Sequence, residues 1–266
     1  MSAVLAHDAR VRVGGMCVRL TTTSTRFAGI LEQRFAGFME PGREADYTFE
    51  VDVVDPRPDA PDADVRVWRD EGLWRIERGD FRAVLDPRTR RGRIRQAASP
   101  YSIDTLLRIL HTLSLADEGG FLLHAASVVR AGRAQVFTGV SGAGKTTLSR
   151  LAPPGADVLT DEISYIRREA GGYVAYGTPF AGELARPGAN VRAPIEAIYL
   201  LSKGPRNRVD EVAAPAAARA LLGNILFFAE DPALVRRVFA AALDAVESLP
   251  VRRLTFVPDA SVWEVL

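Results

Sequence analysis

Eight consecutive residues, Gly139-Val140-Ser141-Gly142-Ala143-Gly144-Lys145-Thr146, fit the pattern Gly-x-x-x-x-Gly-Lys-[Ser/Thr] at every fixed position. Each residue type has a physical reason to be there. The glycines accept backbone angles that a Cβ forbids, so the loop can curl with its N–H groups pointing inward. Those donors, and the start of the helix that follows from Thr147, form an anion site suited to a di- or triphosphate. Lys145 would reach the terminal phosphates, and the Thr146 hydroxyl would ligate Mg²⁺. A compositional detail agrees: only Lys145 and Lys203 are lysines among the 34 basic residues, the rest being arginine. The chain keeps a compact ammonium where phosphate chemistry uses one.

Phosphoryl transfer also needs a second metal contact and a group to take the acceptor's proton. Asp161 and Glu162 follow the apolar pair Val158-Leu159 by one residue, which places both carboxylates at a strand end. The plain alternative is an exposed acidic turn. Asp157 is a weaker candidate because it precedes the apolar run. Of the three histidines, His7 lies near the N-terminus and His111 falls on an apolar helical stripe, in a packing or surface role. His124 sits inside the apolar strand Phe121-Leu-Leu-His-Ala-Ala, where a histidine is more often a satisfied core residue than a catalyst.

The elements around these residues read as α/β with a mixed sheet. Residues 1–98 form a β-rich N-terminal subdomain. Short β-prone runs recur at 11–20, 47–54, 65–68, 73–77, 81–86 and 92–96, with a helix predicted over 27–38 and a loop over 56–63. Residues 99–266 form the nucleotide-binding domain. Ser99 N-caps a helix with Pro100 first in it, and Ile103, Leu106, Leu107, Leu110 and Leu113 make its buried stripe. Strands are then expected at 121–129, 135–138, 158–160, 163–167, 173–176, 195–201, 253–257 and 262–265. Pro215 opens one C-terminal helix and Asp231-Pro232 the other.

Composition narrows the function classes. The 266 residues are 47% hydrophobic and 25% charged with a net charge of +1, an ordinary profile without the basic footprint of a nucleic-acid or anionic-membrane binder. One cysteine, Cys17, excludes an internal disulfide. Asp8, Arg10 and Arg12 interrupt any apolar run near the start, so no signal peptide is read, and no stretch is apolar enough to span a bilayer. The expected location is cytoplasmic. A homo-oligomer is left open.

Three segments together resemble the catalytic domain of HPr kinase/phosphorylase, which shares a nucleotide core with phosphoenolpyruvate carboxykinases. Leu123-His124-Ala-Ala-Ser-Val-Val looks like its His-bearing strand, Thr138 through Thr146 like its phosphate loop, and Val158-Leu-Thr-Asp161-Glu162 like its paired-acid strand. Gly177-Thr178-Pro179-Phe180, with Glu183, is similar to a segment after the acids in small relatives. The resemblance covers about residues 118–205. It implies an ATP- and Mg²⁺-dependent kinase with Asp161 as general base, Glu162 as second acid and His124 near the phosphates. Lys145 and Thr146 would stand on the phosphates and the metal, with Asp161 as a further metal ligand.

The chain departs from that family in two places. HPr kinases pair two aspartates where this chain has Asp161 and Glu162. Their Arg-Asn segment near the C-terminus has only loose counterparts in Arg192 and Arg206-Asn207-Arg208. Residues 1–98 do not resemble the regulatory domain of the HPr-modifying enzyme. The implied acceptor is therefore a hydroxyl of a peptide, a protein or a small metabolite. Two other readings are a non-catalytic ATP-binding regulatory module and a carboxykinase-like activity on a small acid.

Overall fold

A computed structural model describes residues 6–55 and 64–266. The loop read over 56–63 lies outside the described residues. The chain forms two compact units, Met1–His111 with Phe228–Pro232, and Thr112–Phe227 with Ala233–Leu266.

In the first unit, β1 (His7–Val13) and β2 (Met16–Thr22) form a hairpin where one continuous strand over 11–20 was expected. Gly14 and Gly15 take φ of 59° and 92°, and Val13 pairs with Met16. That is the two-residue turn whose positive φ angles match the twist of the paired strands. Helix α1 (Thr25–Arg34) follows, and the Ser24 hydroxyl accepts the Phe27 N–H at its start. It ends before the predicted limit of 38, yet Phe35 and Phe38 remain buried in the turn beyond it. Strands β3 (Tyr47–Val53), β4 (Arg66–Asp70), β5 (Leu73–Arg78), β6 (Phe81–Asp86) and β7 (Arg91–Gln96) complete a seven-stranded sheet in the order β1-β2-β3-β7-β6-β5-β4. Alternation along each strand buries one face, with Val67, Trp74, Ile76, Phe81, Leu85 and Ile94 in the core.

Helix α2 (Pro100–Asp117) is capped by the Ser99 hydroxyl, which accepts the Tyr101 N–H at 3.2 Å. Its first turns are tied to α1 and to the β5–β6 hairpin. Arg34 pairs with Asp104 through two nitrogens, Ser102 donates to Asp80 at 2.6 Å, and Arg78 donates to Thr105 at 3.2 Å. These bonds explain why the units divide within the helix, after His111, and not ahead of it at 98/99.

The second unit is a mixed α/β fold. Its elements are β8 (Phe121–Arg130), β9 (Arg133–Thr138), α3 (Lys145–Arg150), β10 (Asp157–Thr160), β11 (Ile163–Glu169), β12 (Gly172–Tyr176), β13 (Arg192–Lys203), β14 (Arg208–Glu211), α4 (Ala214–Leu222), β15 (Ile225–Leu226), α5 (Pro232–Ser248) and β16 (Val251–Phe256). β9, β13 and β16 run parallel to one another, and every other pairing in this sheet is antiparallel. β8, β9, β13, β12 and β11 pair in a closed circuit, in which β8 holds β11 along one edge and β9 along the other. Phe137 stacks on Tyr199 and meets Trp263 edge-on inside the cluster that backs the parallel strands.

The strand expected at 262–265 is instead a 3₁₀ turn, Ala260–Glu264. Asp259 caps it by accepting the Ser261 N–H, and the turn folds the adjacent Val262 and Trp263 into that cluster. β14 and β15, too short to stand out in the sequence, were not expected. No helix among the described residues is long and apolar enough to cross a membrane.

His111 is buried, and burial pushes its imidazole down to about 3. The unfolded chain, near 6.5, takes the proton first, so stability is intact above that pH and falls as the pH drops toward 3. Urea midpoints at pH 7.5 and 5 should show a loss of about 2 kcal/mol from this residue. His111→Gln should flatten the dependence by that amount; equal slopes would refute the assignment.

Candidate active site

β9 ends at Thr138, and the phosphate loop leaves the sheet at the C-terminal end of the parallel strands. Gly144 has φ of 109°, and a Cβ there would lie 2.5 Å from the Phe256 ring, so this glycine meets both a backbone and a packing requirement. Lys145 is buried, and its Nζ donates to the Gly139 and Val140 carbonyls at 3.0 and 3.3 Å. Burial pushes this ammonium below the ordinary lysine value, while Glu162 and Glu183 pull it back up. α3 is only six residues long, so its dipole is short. An anion bound at this loop would be held mainly by the loop N–H groups and Lys145.

β8 supplies the histidine. His124 pairs with Ile163 of β11, and the next residue, Ala125, pairs with Thr138 of β9. The Ala125 N–H donates to the Glu162 carbonyl at 2.9 Å, and the Thr138 hydroxyl donates to the His124 carbonyl at 2.9 Å. Backbone pairing therefore brings the histidine strand, the loop and the acids side by side.

The acids stand where β10 turns into β11. The Thr160 hydroxyl accepts the N–H groups of Glu162 and Ile163 at 3.2 and 3.1 Å, which shapes that turn. Asp161 is 3% exposed. Its Oδ1 accepts the Gly182 N–H at 3.0 Å and its Oδ2 the Leu184 N–H at 2.9 Å. The segment carrying those amides is strapped to β10: Thr178 N–H donates to the Leu159 carbonyl at 3.0 Å and Ala189 N–H to the Val158 carbonyl at 2.8 Å. A Cβ on Gly182 would lie 2.9 Å from Asp161 Oδ2 and 2.8 Å from the Glu162 Cβ, so only glycine permits the approach.

A cavity of about 580 Å³ gathers these groups. His124, Ser141, Gly142, Gly144, Lys145, Thr146, Thr147, Asp161 and Glu162 all line it, together with Ala181, Gly182 and Glu183. Gly139, Val140 and Ala143 shape the loop without lining the cavity. Asp157 opens β10, Arg192 pairs with Glu169, and Asn207 bonds Ser261 and the Val257 N–H; none of the three is in the cavity. Thr178 and Phe180 are fully buried anchors of the strapped segment. The sequence reading missed the amides of Gly182 and Leu184. Its nearest signal was Gly182 in Phe-Ala-Gly-Glu-Leu.

The donors suit Mg²⁺. It binds through one or two carboxylates or hydroxyls plus phosphate oxygens and water, and not through a dedicated cage. Thr146, Asp161 and Glu162 supply that partial set, and no group of three or more potential His, Cys, Asp or Glu ligands occurs among the described residues.

Residues 101–266 match the family model described as SynChlorMet cassette protein ScmC. The chain belongs to this family. The sequence resemblance to HPr kinase/phosphorylase is thus replaced, at the level of family, by ScmC. No curated protein matches the chain. Among solved structures, the HPr(Ser) kinase/phosphatase from Coxiella burnetii is similar at 14% identity and a TM-score of 0.26, covering 46% of this chain and 87% of that one. The likeness is distant.

The contact at Gly182 predicts a stability contrast. Gly182→Ala should lower the urea midpoint by an amount equivalent to about 1–3 kcal/mol, because the clash falls on a buried carboxylate and a packed methylene. Gly171→Ala, with no atom within 4 Å of the new methyl, should change it by less than about 0.5 kcal/mol. Equal effects at both positions would refute the close-approach reading.

Proposed function

We propose that this chain is an ATP- and Mg²⁺-dependent kinase that transfers the γ-phosphoryl group to a hydroxyl acceptor. The supporting observation is that one cavity gathers Ser141, Gly142, Gly144, Lys145 and Thr146 of the phosphate loop with three carboxylates, Asp161, Glu162 and Glu183. Bound Mg²⁺ would neutralise charge on the transferring phosphoryl group, held by Thr146 with Glu162 or Asp161.

Each protein group has a defined task in this reading. Lys145 is ready for phosphate. Its ammonium is only partly compensated by two loop carbonyls, and phosphate oxygens would replace them with stronger, charge-assisted bonds. Loop N–H groups bind the phosphate chain without reorganising. Asp161 orients the acceptor hydroxyl and takes its proton. Two backbone donors fix its carboxylate plane and leave acceptor sites on both oxygens, since a carboxylate offers about four. His124 sits beside the phosphates and offers a ring nitrogen to an oxygen.

Binding and transfer separate these roles. Lys145→Met should abolish calorimetric binding of a non-hydrolysable ATP analogue. Asp161→Asn should bind it within about threefold of wild type and lose about 10²–10⁴ in transfer of labelled phosphate to a hydroxyl acceptor. Transfer left intact in Asp161→Asn sinks the base assignment. Tight binding without transfer in the wild type, across peptide and small hydroxyl acceptors, sinks the kinase.

A further inference from the structure

Asp161 also lines a second cavity, of about 230 Å³. Val158, Leu184 and Pro187 give it apolar walls, Thr160 and Asp161 stand at one side, and Arg186 is its one cationic residue. The turn 182–185, closed by an Ala185 N–H to Gly182 carbonyl bond of 3.0 Å, contributes lining to both cavities. The Asp161 carboxylate is shared across that turn. Oδ1 is held by Gly182, which lines the phosphate cavity, and Oδ2 by Leu184, which lines the second. Ala185 carries φ of 52°, a left-handed angle that strains a non-glycine residue, and it sits directly before Arg186. Strain of this kind persists where the surroundings demand one geometry.

We propose that the second cavity seats the phosphate acceptor, and that the acceptor is a hydroxy acid whose carboxylate is bound by Arg186 and whose hydroxyl meets Asp161. The proposal rests on the kinase reading of the larger cavity. The chemistry follows from the lining. A guanidinium recognises a carboxylate with paired N–H donors. Apolar walls in so small a volume accept a short carbon skeleton and reject a bulky one. A group held there has Asp161 as its neighbour, and the same residue lines the phosphate cavity. The step balances. The acceptor oxygen forms a bond to the γ-phosphorus, the bond from that phosphorus to the β–γ bridging oxygen breaks, ADP leaves, and the hydroxyl proton passes to Asp161 and on to water.

Two matched pairs of probes test this, with Mg²⁺ and a non-hydrolysable ATP analogue present: glycerate against glycerol, and N-acetylserine against its amide. Calorimetry should show the acid of at least one pair binding about tenfold or more tighter than its neutral partner. Arg186→Gln should remove that preference and leave affinity for the ATP analogue unchanged. Preference for glycerate alone identifies a free small acid, and for N-acetylserine alone the acidic end of a longer chain; either supports the proposal. Equal binding of acid and neutral partners, no binding of any of the four, or a preference that survives Arg186→Gln overturns it. Transfer assays with ATP on the same samples keep the two readings apart. Arg186-dependent binding without transfer defeats the kinase and leaves the acid site standing, whereas transfer to the neutral partners as readily as to the acids defeats the acid site alone.

Discussion

At His124 and Ala125, β8 changes neighbours along both of its edges, and the candidate site depends on that junction. One edge pairs with β11 up to His124 and with β10 from Ser127; the other pairs with β15 at Leu122 and Leu123 and with β9 from Ala125. β11 begins just after the two acids and β9 ends just before the phosphate loop. Three segments far apart in the chain thus meet through hydrogen bonds that no single side chain controls. The bonds at the junction, Ala125 N–H to the Glu162 carbonyl and Thr138 hydroxyl to the His124 carbonyl, seal backbone groups that the change of neighbours would otherwise leave open. A shift of one residue in either register would turn the side chains to the opposite face. It would also set the buried residues Leu123, Ala125 and Ile163 against the wrong neighbours in a core that covers both faces of these strands, so packing energy protects the alignment of the polar groups.

The second constraint is the backbone turn against Asp161. A buried carboxylate is costly unless its oxygens find donors. Here the donors are two main-chain N–H groups, held by a segment that is itself hydrogen-bonded to β10. Main-chain donors have no rotamers to lose, so the carboxylate is oriented at low entropic cost. That arrangement demands glycine at 182, and it leaves the Glu183 side chain exposed at the tip, 4.0 Å from Arg150.

Sequence legibility follows this division. The phosphate loop was legible because its chemistry constrains residue types at fixed short spacing. His124, Asp161 and Glu162 were legible only as a set, since each alone has an ordinary structural explanation. The amides of Gly182 and Leu184 left almost no trace, because a backbone N–H is present whatever the side chain and the partner lies 21 or 23 residues away. The Gly14-Gly15 hairpin was hidden by the strong β-propensity on both sides of it. The 3₁₀ turn at Ala260–Glu264 was read as a strand because Val262, Trp263 and Val265 are β-prone residue types, whereas burial selects the neighbours Val262 and Trp263. The hold of α1 on α2 was invisible for another reason: its ion pair joins residues 70 positions apart.

The two acids differ in surroundings, and their proposed tasks differ accordingly. Glu162 acts on the charge of Lys145, opposing the effect of burial on that ammonium. Its side chain carries one methylene more than aspartate, so the carboxylate reaches further from the strand toward the loop. Such a group suits a cation, whether ammonium or metal, whose position is set by phosphate. Asp161 is short, buried and clamped between two amides, and it borders both cavities. A group that must meet a hydroxyl at one angle gains more from a clamp than from reach, because misalignment of about 1 Å already costs about 10²-fold in rate. A glutamate at 162 beside the aspartate at 161 therefore leaves the proposed proton-accepting position untouched and lengthens only the arm that attends to charge.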